Sequence, residues 1–229
     1  MPRTAVVAGV GPGLGASIAR KLASEGCQVA LLARSVDYLQ DLADELGEGA
    51  IAVPTDLAEP AEIRDAFETV RDELGAVDVL VNHASGASWK GLQDLSVEEF
   101  QGVWEVAARG GFVCSQEAVS DMLAGDGGTV IFTGATSSVR GRDGALGFSS
   151  AKFAVRGMAE SMARELGPEG IHVAHIVLDG GILPPDRDVE NPEEYLDPDA
   201  IAESYWHLVE QDESAWTLEL DLRPHVEEF

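Results

Sequence analysis

The sequence predicts an α/β fold, a doubly wound parallel sheet of about seven strands with helices on both faces. Three observations carry that expectation. Short apolar runs alternate with amphipathic stretches along the chain. The first run breaks into a glycine-rich turn that leads straight into a helical pattern, and polar residues gather where the runs end. Strands separated by helices pair in parallel, with right-handed crossovers.

Taken in order, residues 5–8 form the first buried strand, and Gly9-Val10-Gly11-Pro12-Gly13-Leu14-Gly15 follows it. Glycine permits a tight turn and lets a phosphate approach without a Cβ in the way, and the helix start behind it offers unpaired N–H donors. Helical periodicity resumes over residues 15–25 through Ile18, Ala19 and Leu22. Further strands are expected over residues 28–33, 50–53, 77–81, 129–133 and 173–178. Helices are expected over 36–46, 60–74, 97–123 and 148–166. A proline- and acid-rich stretch within 182–198 has no periodicity, and a fold of this kind would lay it over the substrate pocket. Residues 199–210 then read as a helix, and 215–222 alternate like a last strand. With no internal repeat or linker, residues 1–229 are expected to form one domain.

The charge is unusual: 41 Asp and Glu stand against 15 Lys and Arg, a net charge of −26. Lysines are confined to Lys21, Lys90 and Lys152, and the acids are spread through nearly every helix (Asp41, Asp44, Glu45; Glu62, Asp65, Glu68; Glu98, Glu99). Such a coat repels itself unless salt screens it, so it reads as an adaptation to a salt-rich cytoplasm, a halophilic trait. The same charge argues against nucleic acid as a partner. No apolar stretch approaches the roughly 20 residues that span a bilayer, and no signal peptide is visible, so a cytoplasmic protein without membrane attachment is expected. Cys27 and Cys114 are too few for a disulfide framework or a metal cluster; buried reduced thiols and no bound metal are expected. His172 and His175 alternate on the sixth strand and are read as packing or solvent-facing residues.

Ligands of doubly wound sheets sit beyond the carboxyl ends of the strands. The second strand ends at Arg34 where an acid would hold a ribose 2′-hydroxyl; an arginine suits a 2′-phosphate, so NADP(H) is expected rather than NAD(H). The third strand ends at Asp56-Leu57, the fourth at Asn82-His83-Ala84, the fifth at Gly134-Ala135-Thr136-Ser137-Ser138 and the sixth at Leu178-Asp179.

Together these strand ends resemble the short-chain dehydrogenase/reductase family, a Rossmann-type fold, from about Thr4 to Gly181. Gly9, Gly13 and Gly15 match its Gly-x-x-x-Gly-x-Gly turn, Asp56 its adenine-binding acid, Asn82-His83-Ala84 its Asn-Asn-Ala-Gly segment, and Phe148 to Lys152 its Tyr-x-x-x-Lys. The resemblance implies a dinucleotide held by Gly9, Gly11, Gly13, Leu14, Gly15, Arg34, Asp56, Leu57, Asn82, Ala84 and Lys152. It also exposes a departure. The family's Tyr passes a proton to the substrate oxygen while nicotinamide passes hydride, and a Lys one turn on lowers that Tyr's pKa. Here Lys152 remains, but Phe148 stands at the Tyr position, Ala135 at the Ser and Ala107 at the Asn. Candidate substitutes are Ser137, with its neighbours Thr136 and Ser138, His83 and Asp179. Against these stand plainer roles: turn hydroxyls, a structural imidazole and a loop-ordering carboxylate.

The leading expectation is an NADP(H)-dependent oxidoreductase acting on a small carbonyl or alcohol with a rewired proton donor. Two others stand beside it: an NADP(H)-binding protein without redox turnover, and an enzyme reducing an imine or activated C=C. Val155, Met158, Met162 and Leu166 form an apolar stripe explained by core packing. The corresponding helix in the family also builds a dimer face, so a homodimer or homotetramer is expected.

Overall fold

The computed structural model describes residues 2–227. Its strands are β1 (Thr4–Ala8), β2 (Gln28–Ala33), β3 (Ala50–Pro54), β4 (Val79–Asn82), β5 (Gly128–Thr133), β6 (Ile171–Leu178), the short β7 (Gly181–Ile182) and β8 (Tyr195–Leu196), and β9 (Glu219–Leu222). Its helices are α1 (Leu14–Ser24), α2 (Val36–Leu46), α3 (Pro60–Glu73), α4 (Val97–Trp104), α5 (Gly111–Ala124), α6 (Leu146–Leu166) and α7 (Pro198–Val209). Seven strands build one parallel sheet in the order β3-β2-β1-β4-β5-β6-β9. The winding reverses between β1 and β4, and that reversal opens a crevice at their carboxyl ends.

Both faces of the sheet are covered, which is why its strands read as continuous apolar runs. On one face Val7, Leu31, Val81, Ile131 and Ile176 pack against Ile18 and Leu22 of α1, Leu39 of α2 and Ile201 and Tyr205 of α7. On the other, Val6, Leu32, Leu80, Phe132 and Val173 meet Phe67 of α3, Val113 of α5 and Val155 of α6. Cys27 and Cys114 are free and buried. His172 and His175 are buried: the first bonds backbone carbonyls of Leu208 and Thr217, the second the Glu219 carboxylate. No helix among the described residues is long and apolar enough to cross a membrane.

Three expectations change. The helix expected over 97–123 is two helices joined by a π-helical turn, Glu105–Gly110. The widening has a local cause. A Cβ at Gly110 would lie 2.4 Å from the Leu57 carbonyl oxygen, and the Arg109 guanidinium donates to the Ala58 carbonyl at 2.5 Å, so this turn is fitted to the chain leaving β3. Second, the aperiodic 182–198 region pairs with itself, β7 lying parallel to β8. Third, the last strand is only Glu219–Leu222, and in the stretch before it the Asp212 side chain accepts from the Ser214 backbone N–H at a 3₁₀ turn, Glu213–Ala215.

Candidate active site

The turn after β1 is forced to be glycine at two positions. Gly9 and Gly13 have φ of 109° and 111°, a region that L side chains rarely enter. A Cβ on Gly9 would also lie 2.4 Å from the Ala84 backbone nitrogen, so the β1 turn and the segment after β4 touch backbone to backbone. At Gly11, by contrast, a Cβ would meet no atom within 4 Å, and that open side faces a cavity of about 530 Å³.

The cavity fills the crevice at the winding reversal. It gathers Gly9, Gly11, Leu14 and Gly15 from the turn, Arg34 after β2, Asp56 and Leu57 after β3, His83 and Ala84 after β4, Ala135 after β5, and Phe148 and Lys152 from α6. Seven of the residues singled out in the sequence do not line it: Gly13, Asn82, Ala107, Thr136, Ser137, Ser138 and Asp179. Pro185 approaches Gly13, its Cδ 3.8 Å from where a Cβ would stand, so the 182–198 loop lies over the glycine turn. Asp56 accepts the Ala58 N–H on Oδ1 at 2.9 Å, which orders the turn after β3.

Lys152 is the electrostatic centre of the inner end. Its side chain is 3% exposed and has no carboxylate partner among the described residues; Nζ donates to the Thr133 carbonyl at 2.8 Å and stands 5.7 Å from the Phe148 ring centre. Burial disfavours the ammonium and pulls its pKa down to about 8. His83 lies nearby with Nδ1 3.1 Å from the Thr133 hydroxyl. Burial, reinforced by the Lys152 charge, lowers the imidazole to about 4, so it is neutral at pH 7.

Sequence reading missed Thr133. This residue at the end of β5 bonds Lys152 through its carbonyl, while its hydroxyl meets both His83 and the buried Tyr205 of α7, the latter at 2.7 Å. A threonine ending an apolar strand gives no signal of such a junction, because its partners come from three distant segments. Trp89 was missed for the same reason; its ring centre is 5.2 Å from that of Phe148.

The other candidates are engaged elsewhere. Asp179 accepts from the Thr136 hydroxyl at 2.5 Å and pairs with Arg140 and Arg223 at 3.6 and 3.4 Å, which makes it a clamp between the β5 and β9 ends. Ser138 accepts the Ala135 N–H and closes its own turn. Ser137 is buried. At Gly134 a Cβ would stand 2.2 Å from His175 Nε2, so the imidazole occupies the space a side chain there would need. Asn82 donates to the Ser115 hydroxyl, and its Oδ1 has no partner among the described residues. A separate hollow of about 10 Å³ lies between Asn82 and Ala107, room for about one water.

The model of the family described as short chain dehydrogenase matches residues 3–187, so the chain belongs to that family. An uncharacterised oxidoreductase of Staphylococcus aureus is 28% identical over 97% of both chains. Among solved structures, a short-chain dehydrogenase from Rhodopseudomonas palustris is 35% identical, with a TM-score of 0.85, over 97% of this chain and 99% of its own. An alcohol dehydrogenase from the archaeon Thermococcus sibiricus, complexed with 5-hydroxy-NADP, is 28% identical with a TM-score of 0.90, over 100% of this chain and 99% of its own.

Proposed function

We propose that this protein is an NADP(H)-dependent short-chain oxidoreductase acting on a small carbonyl or alcohol, with a proton-transfer centre built on Lys152 instead of a tyrosine. The observation that carries the reading is the cavity itself: a glycine cradle open at Gly11, an exposed arginine at one end and a buried, unpaired ammonium at the other. Those groups fit a phosphorylated dinucleotide. The Gly9 to Gly15 turn and the α1 N-terminus meet its pyrophosphate, Arg34 its 2′-phosphate, Asp56 and Leu57 its adenine, and Ala84 and Lys152 flank the nicotinamide half. The Thermococcus sibiricus relative with its NADP analogue supports that assignment.

When bound, NADPH supplies the hydride that the carbonyl carbon gains and leaves as NADP⁺, while the carbonyl oxygen must gain one proton. Phe148 has none to give, Ala135 offers no hydroxyl, and His83 is neutral. Lys152, whose pKa lies near working pH, is the group at the inner end suited to donate that proton and be recharged from solvent. The Thr133 carbonyl holds its ammonium in place, and the Phe148 ring faces it. The test is NADPH oxidation against a panel of ketones, aldehydes, imines and activated alkenes at high salt. Tight NADPH binding with no turnover of any of them sinks the reading and favours a cofactor-binding protein.

Arg34 supplies a sharper check. It has no carboxylate partner among the described residues and lines the cavity beside Ala33. Replacing it, Arg34→Ala, is expected to weaken NADPH binding by roughly 1.5–3 kcal/mol through loss of a charge-assisted contact, with NADH binding nearly unchanged. Equal losses for both cofactors, titrated at one salt concentration, would remove the NADP preference.

We read residues 1–229 as one domain adapted to a salt-rich cytoplasm. With 41 acids against 15 Lys and Arg, most carboxylates repel one another, and the Debye length shrinks from about 10 Å at 0.1 M to about 3 Å at 1 M salt. The melting temperature should therefore climb steeply between low salt and molar KCl; a flat profile counts against halophilic adaptation. The groove between α5 and α6, with Phe112 48% exposed beside Val119, Met158 and Met162, supports assembly as a homodimer or homotetramer.

A further inference from the structure

In a chain so rich in acids, a cation that finds no carboxylate is informative. Among the described residues only Arg34, Arg142, Lys152 and Arg187 lack a carboxylate partner. Two of the four line the cavity, and the other two are carried by segments that neighbour it. Arg34 and Lys152 line the cavity, Arg187 is carried by the loop whose Pro185 lies over the glycine turn, and Arg142 sits beyond Phe148. Arg34 is accounted for by the cofactor phosphate proposed above; Arg142 is not.

Its placement is specific. The Arg142 guanidinium carbon lies 5.5 Å above the Trp89 ring, and the Trp89 ring centre is 5.2 Å from Phe148, which lines the cavity. The Arg142 backbone N–H is itself tied to the Ser149 hydroxyl of α6 at 3.2 Å, so the segment carrying it is fastened to the helix that bears Phe148 and Lys152. Trp89 is 61% exposed, so its ring leaves apolar surface to solvent next to Phe148. A guanidinium on an indole face is held in orientation while its N–H edge stays available for a planar oxyanion. Asp143, the next residue, makes no ion pair with it. The nearby cations differ in this respect: Lys90 is paired with Glu99 and Arg140 with Asp179.

We infer that the substrate is a carboxylate-bearing carbonyl compound with a planar apolar body, its carboxylate met by Arg142 and its body laid against Trp89 and Phe148. The inference rests on the oxidoreductase reading and names the substrate class for that site. The carboxylate takes no part in the chemistry; the same reduction of C=O to CH–OH, with one hydride and one proton, occurs at the Lys152 end.

The experiment compares acids with their neutral esters on one skeleton. Benzoylformate and 4-acetylbenzoate, each beside its methyl ester, place the carboxylate at two distances from the carbonyl. The native protein with NADPH at high salt should favour at least one acid over its ester by tenfold or more in kcat/KM. Calorimetric titration in the presence of NADP⁺ should show the same order in affinity. Arg142→Gln should bring the acid-to-ester ratio close to one, while Arg164→Gln, a substitution at an arginine paired with Glu160 on the far part of α6, should leave the ratio in place. Esters used as well as acids, or a preference that survives Arg142→Gln, overturns the inference and leaves the oxidoreductase reading standing. If no carbonyl is reduced although NADPH binds, the oxidoreductase reading fails. Calorimetry then decides the anion site alone: Arg142-dependent binding of an acid retains it, and no binding removes it.

Discussion

Restoring two hydroxyls with Phe148→Tyr and Ala135→Ser is expected to raise the rate of NADPH oxidation on simple ketones by about 10² or more. The ground for expecting a gain lies in what surrounds the two positions. Phe148 already lines the cavity one turn before Lys152, with its ring 5.7 Å from Nζ, so a phenol there would sit beside a cation that favours its ionised form. Ala135 is extended, at φ −157° and ψ 172°, and also lines the cavity, so a serine fits its backbone without strain. General acid help is worth about 10² to 10⁴, and an oxyanion donor roughly 10² to 10³. The measurement is single-turnover NADPH oxidation, which separates chemistry from release. A double variant no faster than the native protein would mean that Lys152 already meets the need for a proton. No turnover by either would mean that the pocket does not position a carbonyl at all.

Lys152→Met should have two effects of opposite sign. Turnover is expected to fall by at least 10², because the cationic donor at the inner end is gone. Stability at neutral pH is expected to rise. The ammonium's folded pKa, about 8, lies below its ordinary value of 10.5, so below pH 8 the folded state carries a buried charge that the unfolded chain holds in water. That penalty is roughly 3 kcal/mol, and it is relieved as pH climbs from about 8 to about 10.5. The lost bond to the Thr133 carbonyl takes back about 1 kcal/mol of the gain. Melting curves of native and variant proteins should thus differ most near pH 7 and converge toward pH 10.5. In the native enzyme, kcat/KM for carbonyl reduction with saturating NADPH should fall above a pKa at or somewhat above 8, since bound phosphates favour the ammonium. A profile level from pH 6.5 to 9.5 would assign the proton to water.

The short-range pattern of the chain determined a good deal by itself. Apolar runs alternating with amphipathic stretches settle the parallel, doubly wound sheet, because only helices on both faces can bury strands that are apolar throughout. The strand ends then name most of the cavity's lining, since a doubly wound sheet brings those ends to one edge wherever the intervening helices run. Gly9 was legible too, as a left-handed φ beside a close backbone contact is a demand that glycine alone meets.

What only the tertiary structure decided concerns groups whose roles depend on distant partners. The Glu105–Gly110 widening follows from contacts with Leu57 and Ala58, about 50 residues back, which helical periodicity does not register. Asp179 reads as either a proton carrier or a loop-ordering carboxylate until Thr136, Arg140 and Arg223 converge on it. His83 reads as either a proton carrier or a structural imidazole until burial and the Lys152 charge are seen to keep it neutral. Thr133 carries no pattern at all, yet it joins Lys152, His83 and Tyr205. In each case the deciding quantity is a close contact, a hydrogen bond, a local field or a desolvation, and all of them are set by whichever groups the completed fold brings within a few ångströms.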